Sequence, residues 1–186
     1  EAGCAAALME VSSIGIAMHR ADAIPFKVGV FTSFSRDHLD FHKDMEEYLN
    51  AKARLFHSLL DPEGIAILNI DDPASANVWP DNRTVWSFGL GTEADFRAVN
   101  LQPTVNGTQF QIIEPNGQHE IFLPCIGQHN VQNALAAFTA GRALGLESAS
   151  IVRGLEEMGT VPGRLEPVPN NTGKTVLVDY AHTPDA

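Results

Sequence analysis

Lys52 occupies a position in this sequence that calls for a chemical explanation. On a helix, the apolar residues of the run MEEYLNAKARLF and of the residues just after it form one stripe, made up of Met45, Tyr48, Leu49, Ala53, Phe56, Leu59 and Leu60. Lys52 lies in the middle of that stripe. Its methylenes can pack while the ammonium group reaches solvent. Alternatively the amine is buried, loses its proton more easily and adds CO₂, which gives a carbamate able to bind Mg²⁺ or a basic partner. Both explanations stay open at this point.

The run DHLDFH, residues 37–42, places two carboxylates and two imidazoles in one short segment after a predicted strand. Loops at the carboxyl ends of strands are where open α/β sheets bind ligands. The spacing is too close for a zinc site, so one histidine with carboxylates around Mg²⁺ is the metal site that we expect. A solvated turn with an Asx cap is equally compatible with the run. Glu10, an acid inside the apolar run LMEVSS, is either a ligand at a strand end or a satisfied edge residue.

Two further motifs suggest contacts with a nucleotide. In GQHNVQN, Asn130 and Asn133 lie one helical turn apart at a predicted helix start. Side-chain amides offer both a donor and an acceptor to a purine edge, although ordinary capping by Asn130 explains the pattern without a ligand. NTGKT at 171–175 is not a phosphate loop, because Val168 stands where the motif needs glycine and a strand is predicted to follow.

The pattern along the chain predicts an α/β fold with a mostly parallel sheet flanked by helices. Apolar runs predict strands at 8–13, 26–34, 64–70 and 174–182, and periodic runs predict helices at 14–21, 45–60, 129–146 and 148–158, with Asp44 as the best cap for the Lys52 helix. Nearly continuous apolar strands between helices indicate a sheet covered on both faces. Asn-Gly steps in VNGT and EPNGQ predict hairpins, so residues 84–126 are expected to form a small antiparallel patch beside the main sheet. GTVPGRLEPV, residues 159–168, is the candidate linker.

Composition excludes some classes of function. The chain has 186 residues, is 44% hydrophobic and carries a net charge of −11 without a basic cluster, which argues against a nucleic-acid partner. No apolar run approaches the roughly 20 residues that span a bilayer. Cys4 and Cys125 stand in apolar surroundings and are interpreted as reduced core residues of a cytosolic protein. We therefore expect a cytoplasmic location and no membrane span.

Taken together and in their order, the runs MEVSS, FTSFSRDHLDFH, AKARLF, GQHNVQNALAA, VPGRLE and VDYAHTPDA resemble the ATP-dependent Mur ligases of peptidoglycan synthesis. The resemblance covers essentially the whole chain. It implies that residues 1–160 are the central, P-loop-NTPase-like ATPase domain without its phosphate loop. Residues 161–186 would then be the linker and the first strand of the C-terminal Rossmann-like domain. VDYAHTPDA is most similar to the branch that adds the third peptide residue.

The resemblance also implies roles for individual residues. Lys52 matches a carbamylated lysine, with Glu10 and His38 as further Mg²⁺ contacts. Asn130 and Asn133 match residues near the adenine. The remaining implied contacts are to ATP phosphate for Arg164, to the nucleotide for Asp179 and His182, and to the UDP-muramoyl substrate for Ser12 and Arg20. Ser33, Ile14 and Met18 depart from the family pattern at substrate contacts more than at the metal site.

The implied reaction is the ATP-dependent formation of an amide bond. ATP phosphorylates the D-glutamate carboxylate of UDP-N-acetylmuramoyl-L-alanyl-D-glutamate, and the amine of diaminopimelate or lysine attacks the acyl phosphate. Lys52 and Arg164 would be catalytic, because charge must be neutralised between the carboxylate and the γ-phosphate. The implied partners are the UDP-muramoyl-dipeptide, the amino acid and the N- and C-terminal domains of the same chain, in a monomer.

Other functions remain compatible with the sequence. The chain can belong to another ligase of the same fold, of the folylpolyglutamate or cyanophycin type. It can also be a non-catalytic nucleotide- or metal-binding module, or a structural interaction domain. Because the phosphate loop is expected upstream of Glu1 and the loop that selects the amino acid downstream of Ala186, we expect the isolated chain to be inactive and to bind ATP weakly or not at all.

Overall fold

The computed structural model describes residues 3–159 and 161–180. The helices are α1 (Ser13–Ala17), α2 (Met45–Arg54), α3 (Ser75–Val78), α4 (Gln128–Ala143) and α5 (Ser148–Glu156). The strands are β1 (Phe26–Phe31), β2 (Leu60–Asn69), β3 (Thr84–Gly89), β4 (Phe96–Thr104), β5 (Gly107–Glu114), β6 (Gly117–Leu123), β7 (Glu166–Pro167) and β8 (Leu177–Val178). Among the described residues, no helix is long and apolar enough to cross a membrane.

Six strands form one sheet in chain order, from β1 to β6. The pairs β1–β2, β2–β3 and β3–β4 are parallel. The pairs β4–β5 and β5–β6 are antiparallel. Ala66, Ile67 and Leu68 in the middle of β2 are completely buried, because helices cover both faces of the sheet. The prediction of a mostly parallel sheet flanked by helices is therefore confirmed.

The core has two parts, one on each face of the sheet. Successive β2 residues point to opposite faces, so Ile67 packs with α4 and α5, and Leu68 packs with α1, α2 and α3. The first face contains Phe88, Phe96, Phe110, Leu135 and Phe138, and the second contains Ile16, Phe31, Phe56, Leu60 and Val78. Full burial of each large side chain contributes about 1.5–3 kcal/mol to the free energy of unfolding.

The antiparallel patch is smaller than predicted and is continuous with the main sheet. Hairpins at Asn106 and Asn116 connect β4, β5 and β6, as the Asn-Gly steps predicted. The assignment of β3 to the patch is wrong, since β3 pairs parallel with both β2 and β4. Because β4 begins beside the last two residues of β3 and runs onward, a short connection is enough to join two parallel strands.

Two expectations for the start of the chain are also wrong. Residues 8–13 form no strand, and Leu8 is fully exposed at 103%. Cys4 is exposed rather than part of the core, whereas Cys125 is buried, and both are free thiols. β1 is an edge of the described sheet, so this segment pairs with no neighbouring strand there, and apolar composition alone does not bury it.

The predicted Lys52 helix is present, but it ends earlier than predicted. The Asp44 carboxylate accepts a hydrogen bond from the Glu47 amide at 2.9 Å and caps α2 as predicted. The helix ends at Arg54, followed by a π-helical turn at Leu55–Leu59, so Leu60 already belongs to β2. β7 lies within the candidate linker and pairs with β8 in a separate two-stranded sheet.

Candidate functional site

Lys52 projects from α2 toward the loop that follows β1. Its side chain is half-buried, and its Nζ atom lies 5.0 Å from the centroid of the Tyr48 ring. Burial lowers the pKa of Lys52 below its ordinary value, and the nearby carboxylates of Glu10 and Asp37 oppose this only in part. The ammonium form is therefore disfavoured at the position where the sequence analysis placed a modified lysine.

His38 belongs to the same neighbourhood. Its ring meets the Tyr48 ring edge-on, with centroids 5.6 Å apart. Its backbone has a positive φ of 53°, and the Asp37 carboxylate accepts a hydrogen bond from the His38 amide at 2.7 Å. We call Glu10, Asp37, His38, Tyr48 and Lys52 the Lys52 cluster. The structure thus places Lys52 and His38 against the Tyr48 ring, and the carboxylates of Glu10 and Asp37 act electrostatically on the Lys52 amine.

Tyr48 organises the Lys52 cluster, although the sequence analysis treated it only as a core residue. It is 5% exposed, and its ring stacks on His42, with centroids 5.3 Å apart, and packs at a tilt against Phe34, with centroids 4.8 Å apart. Burial raises the pKa of Tyr48, and the Asp37 carboxylate adds to the effect. Its spacing of four residues before Lys52 is the sequence signal that could have revealed this contact.

His42 fixes the loop that follows β1 to the start of α1. It is 1% exposed, and its Nε2 atom lies 2.9 Å from the Oγ atom of the buried Ser13, at the start of α1. The loop after β1 is therefore fixed to α1 through His42 and to α2 through Tyr48. His42 consequently serves as a structural anchor of the predicted DHLDFH segment.

The side chains of the Lys52 cluster are not by themselves arranged to hold a metal ion. Within residues 3–159 and 161–180, no group of three or more His, Cys, Asp and Glu side chains is arranged to hold a metal ion. A site here must therefore take an oxygen donor from another residue. Carbamylation of Lys52 would supply two oxygens beside Glu10, Asp37 and His38, which is a donor set that Mg²⁺ prefers.

The two predicted substrate residues make local contacts. The Ser12 hydroxyl accepts a hydrogen bond from the Gly15 amide at 3.0 Å and caps α1. The Arg20 guanidinium donates to the sulfur of Met18 at 3.3 Å. Arg54 fixes α1 to α2 by donating to the Ile16 carbonyl at 2.8 Å and to the Asp22 carboxylate at 2.5 Å. Hydrogen bonds from Arg54 and His19 lower the pKa of Asp22.

The start of α4 lies at the carboxyl ends of the central strands. Gln132 donates to the Asp71 carboxylate after β2 at 3.1 Å. Asn130 donates from its side chain to the Ile126 carbonyl at 2.8 Å, and Asn133 is exposed. The alternative that Asn130 caps the helix is wrong, because the cap is Gly127 with a φ of 99° and Asn130 lies within the first turn.

Arg164 lies on the candidate linker beside the start of α4. Its guanidinium is 5.7 Å from the centroid of the Tyr180 ring. It contributes to a cavity of about 150 Å³ whose other lining residues are Asn106, Pro124, Cys125, Ile126, Leu165 and Pro167. Burial raises the pKa of the Cys125 thiol, which keeps the thiol protonated. A Leu165 methyl group lies 3.3 Å from the point where a side chain of Gly127 would begin.

Asp179 is exposed after β8, and His182 falls outside the described residues. The structure places His38 of the Lys52 cluster on the loop after β1 and the start of α4 beside Asp71 after β2, whereas Arg164 lies beside the β4–β5 hairpin and the residues that follow β6. The first two positions lie where open α/β sheets bind ligands.

Comparison with known proteins gives a consistent result. The Mur ligase middle domain model matches residues 1–141. UDP-N-acetylmuramoyl-L-alanyl-D-glutamate–2,6-diaminopimelate ligase of Geobacter metallireducens is 44% identical over 190 residues, which cover 99% of this chain and 37% of that protein. The chain spans little more than a third of the length of the curated relatives that it matches.

Solved structures show the same similarity. A UDP-N-acetylmuramoyl-L-alanyl-D-glutamate–2,6-diaminopimelate ligase matches with a TM-score of 0.78 at 30% identity, covering 94% of this chain and 37% of that one. Folylpolyglutamate synthase of Mycobacterium tuberculosis, solved with ADP and AMPPCP, matches with a TM-score of 0.69 at 25% identity, covering 88% of this chain and 38% of that one.

Proposed function

This chain belongs to the Mur ligase family, and from that premise we propose that it is the central part of an ATP-dependent ligase that joins diaminopimelate to UDP-N-acetylmuramoyl-L-alanyl-D-glutamate. The relatives at about 40% identity that carry this activity in their names support the substrate assignment. They favour diaminopimelate over lysine, two substrates between which the sequence alone does not decide. The ligase acts as a monomer in the cytoplasm, where ATP and UDP-linked precursors are present.

Two units make up the chain under this proposal. Residues 1–160 form the central ATPase domain, and residues 161–186 form the linker and the first strand of a C-terminal domain. The separation of β7 and β8 from the six-stranded sheet supports this division. The N- and C-terminal domains complete the active site in the full-length protein.

The Lys52 cluster forms the phosphate end of the site. Glu10, His38 and carbamylated Lys52 would hold Mg²⁺, which when bound neutralises charge on the ATP phosphates. Tyr48 holds the Lys52 side chain and the His38 ring in place. Burial lowers the pKa of Lys52, which favours the neutral amine that reacts with CO₂.

The start of α4 and the linker form the nucleoside end of the site. Asn130 and Asn133 contact the adenine, Arg164 contacts a phosphate, and Asp179 and His182 complete the nucleotide contacts from the C-terminal unit. Ser12 and Arg20 hold the UDP-muramoyl substrate. The Ser12 hydroxyl can still donate its own proton while it caps α1, because a hydroxyl both donates and accepts.

The reaction has two chemical steps. An oxygen of the D-glutamate carboxylate attacks the γ-phosphorus of ATP, the bond to the bridging β–γ oxygen breaks, and ADP leaves. The amine of diaminopimelate then attacks the acyl carbon, phosphate leaves the tetrahedral intermediate, and the excess amine proton is lost. Arg164 offsets negative charge between the carboxylate and the γ-phosphate.

The observation on which the proposal depends is the half-buried Lys52, whose amine lies over the Tyr48 ring within the electrostatic influence of the Glu10 and Asp37 carboxylates. The test is phosphate release by the full-length protein with ATP, the UDP-muramoyl-dipeptide and diaminopimelate. We expect Lys52→Ala to lower kcat by about 100- to 1000-fold. Acetate or propionate should restore part of the activity, because a small carboxylate can replace the missing carbamate oxygens.

Lys43→Ala is the matched control, since Lys43 lies just before α2 and its side chain is 85% exposed. It should leave kcat unchanged. Rescue of Lys52→Ala by propylamine instead of propionate would show that the residue acts as an ammonium ion. Full activity of Lys52→Ala would contradict the proposal.

A further inference from the structure

Two adjacent acids connect three separate parts of the candidate site. Asp71 follows β2, and its carboxylate accepts hydrogen bonds from the Leu90 amide at 2.8 Å and the Gly91 amide at 3.3 Å, just after β3. The same carboxylate accepts from the Gln132 side chain on α4 at 3.1 Å. Asp71 thereby fixes the loop after β3 and the start of α4 to the end of β2.

Asp72 makes the corresponding connection toward β1. Its carboxylate accepts a hydrogen bond from the Phe34 amide at 2.5 Å and from the Ala74 amide at 2.9 Å. Phe34 opens the loop that carries Asp37 and His38, and its ring packs on Tyr48 at 4.8 Å. A displacement of Phe34 would therefore reach the ring over which the Lys52 amine lies.

Asn69 supports both acids from the sheet. It is 4% exposed, its side chain donates to the Thr32 carbonyl at 2.7 Å, and its side-chain oxygen accepts from the Asp71 amide at 3.1 Å. The turn that carries Asp71 and Asp72 is thus anchored to the end of β1 as well as to β2.

Gly89 is adapted to the Asp71 carboxylate. A Cβ atom at position 89 would lie 2.7 Å from Asp71 Oδ1, although the φ of Gly89 is outside the left-handed region. A side chain at position 89 would therefore displace the Asp71 carboxylate, for reasons of space and not of backbone conformation. At Gly91 a Cβ atom would meet the same oxygen at 3.6 Å, which is an ordinary contact.

We propose, on the basis of the function proposed above, that Asp71 and Asp72 are positioning residues that set the separation between the two ends of the nucleotide site. Asp72 acts through Phe34 and Tyr48 on Lys52 and His38 at the phosphate end. Asp71 acts through Gln132 on Asn130 and Asn133 at the nucleoside end, because Gln132 lies between them on the first turns of α4. Neither acid touches the nucleotide itself.

The two acids should affect different kinetic constants. Loss of the Asp71 contacts loosens the adenine contacts, which bind the ground state and the transition state equally, so KM for ATP should rise about tenfold with kcat within about twofold. Loss of the Asp72 contacts displaces groups that act on the transferred phosphoryl group, so kcat should fall about tenfold or more.

The experiment measures kcat and KM for ATP, and the Tm, in the full-length protein for Asp71→Ala, Asp71→Asn, Asp72→Ala and Gly89→Ala. Gly89→Ala displaces the carboxylate without removing it and should reproduce the rise in KM of Asp71→Ala. Asp71→Asn keeps an acceptor oxygen and should restore part of the affinity. Gly91→Ala adds the same methyl group at an uncrowded position and should change KM far less than Gly89→Ala.

Two results would overturn the inference. One is an equal fall in kcat for Asp71→Ala and Asp72→Ala that follows the fall in Tm, which would show a structural role only. The other is an equal effect of Gly89→Ala and Gly91→Ala on KM. If Asp71→Ala does not fold, Gly89→Ala and Gln132→Leu decide the matter. Binding of AMPPNP, measured by calorimetry in the same variants, separates this inference from the proposed ligase reaction, because it requires no substrate other than the nucleotide.

Discussion

Replacement of Lys52 by methionine should stabilise the protein while it abolishes the proposed activity. Methionine has a similar length and no charge, so it can occupy the same half-buried space beside Tyr48 without desolvating an ammonium group. Residues that are retained for function at a cost in stability show this opposite response. A lysine that merely reaches solvent along the apolar stripe would not show it.

The expected magnitude follows from two opposing contributions. The amine lies 5.0 Å from the Tyr48 ring centroid, and a cation–π contact of this kind is worth about 0.5–1 kcal/mol, which the variant loses. The variant gains the free energy that was needed to desolvate the ammonium, together with the burial of apolar surface of about 25 cal/mol per Å². We expect a net gain of about 1 kcal/mol in the free energy of unfolding.

The pH dependence has a definite sign. Burial lowers the pKa of Lys52 in the folded state below the ordinary value of 10.5, so the unfolded state binds more protons between these two pKa values. The stability of the protein with lysine therefore rises with pH across that window. The advantage of the Lys52→Met variant should be greatest at neutral pH and should shrink as the pH approaches 10.5.

The assay is urea unfolding in buffer depleted of CO₂, so that Lys52 carries no carbamate. Lys43→Met is the control, because the exposed Lys43 should give a change within about 0.5 kcal/mol. Destabilisation by Lys52→Met of 1 kcal/mol or more, or a pH-independent difference, would refute the reasoning. Either result would mean that the ammonium is well solvated or well paired in the folded state.

Two further substitutions test other parts of the structure, both by urea unfolding. Glu114→Gln should lower the free energy of unfolding by about 2 kcal/mol, because the 6% exposed carboxylate accepts from Arg142, His119 and Ser148. Burial alone would raise the pKa of Glu114, but these hydrogen bonds outweigh burial and lower it. The wild-type protein should therefore lose stability as the pH falls below 4.5. The Glu114→Gln variant should lose much less stability over the same range. Asp44→Ala should lower the free energy of unfolding by about 1 kcal/mol through loss of the α2 cap, whereas Asp44→Asn should change it little. Equal effects of the two substitutions would exclude capping as the cause.

The parallel part of the fold could be predicted because its signals are local. β1 is rich in β-branched and aromatic residues, residues 64–68 of β2 form a continuous apolar run, and Asp44 marks the start of α2. The direction of β3 could not be predicted in the same way. Its alternating pattern fits a parallel or an antiparallel ladder, and its parallel pairing with β2 and β4 depends on tertiary structure.

The Lys52 cluster was only partly predictable. The misfit of a lysine on an apolar stripe, the acid Glu10 and the DHLDFH run were visible in the sequence, and the family resemblance selected His38 within that run. Tyr48 was hidden, because an aromatic residue on that stripe is equally typical of a core. Asp71 and Asp72 were also missed as site residues, since their partners are backbone amides of distant loops, and amides carry no sequence signal.

The start of the chain shows the opposite error. Leu8 and Met9 have the composition of a buried strand, yet they are exposed. A strand is formed by its neighbour as much as by its own residues, and segment 3–12 pairs with no strand within the described sheet. The composition of residues 8–13 is that of a buried strand, but the segment has no neighbouring strand within the described sheet and remains exposed.

The most direct test of the central claim is ¹³C NMR of the full-length protein equilibrated with ¹³C-labelled bicarbonate. The account predicts a carbamate carbon signal that is present in the wild-type protein and in Lys43→Met, absent in Lys52→Met, and lost after acidification. A wild-type spectrum without this signal, in a sample that catalyses the ligase reaction, would contradict the claim that Lys52 acts as a carbamate.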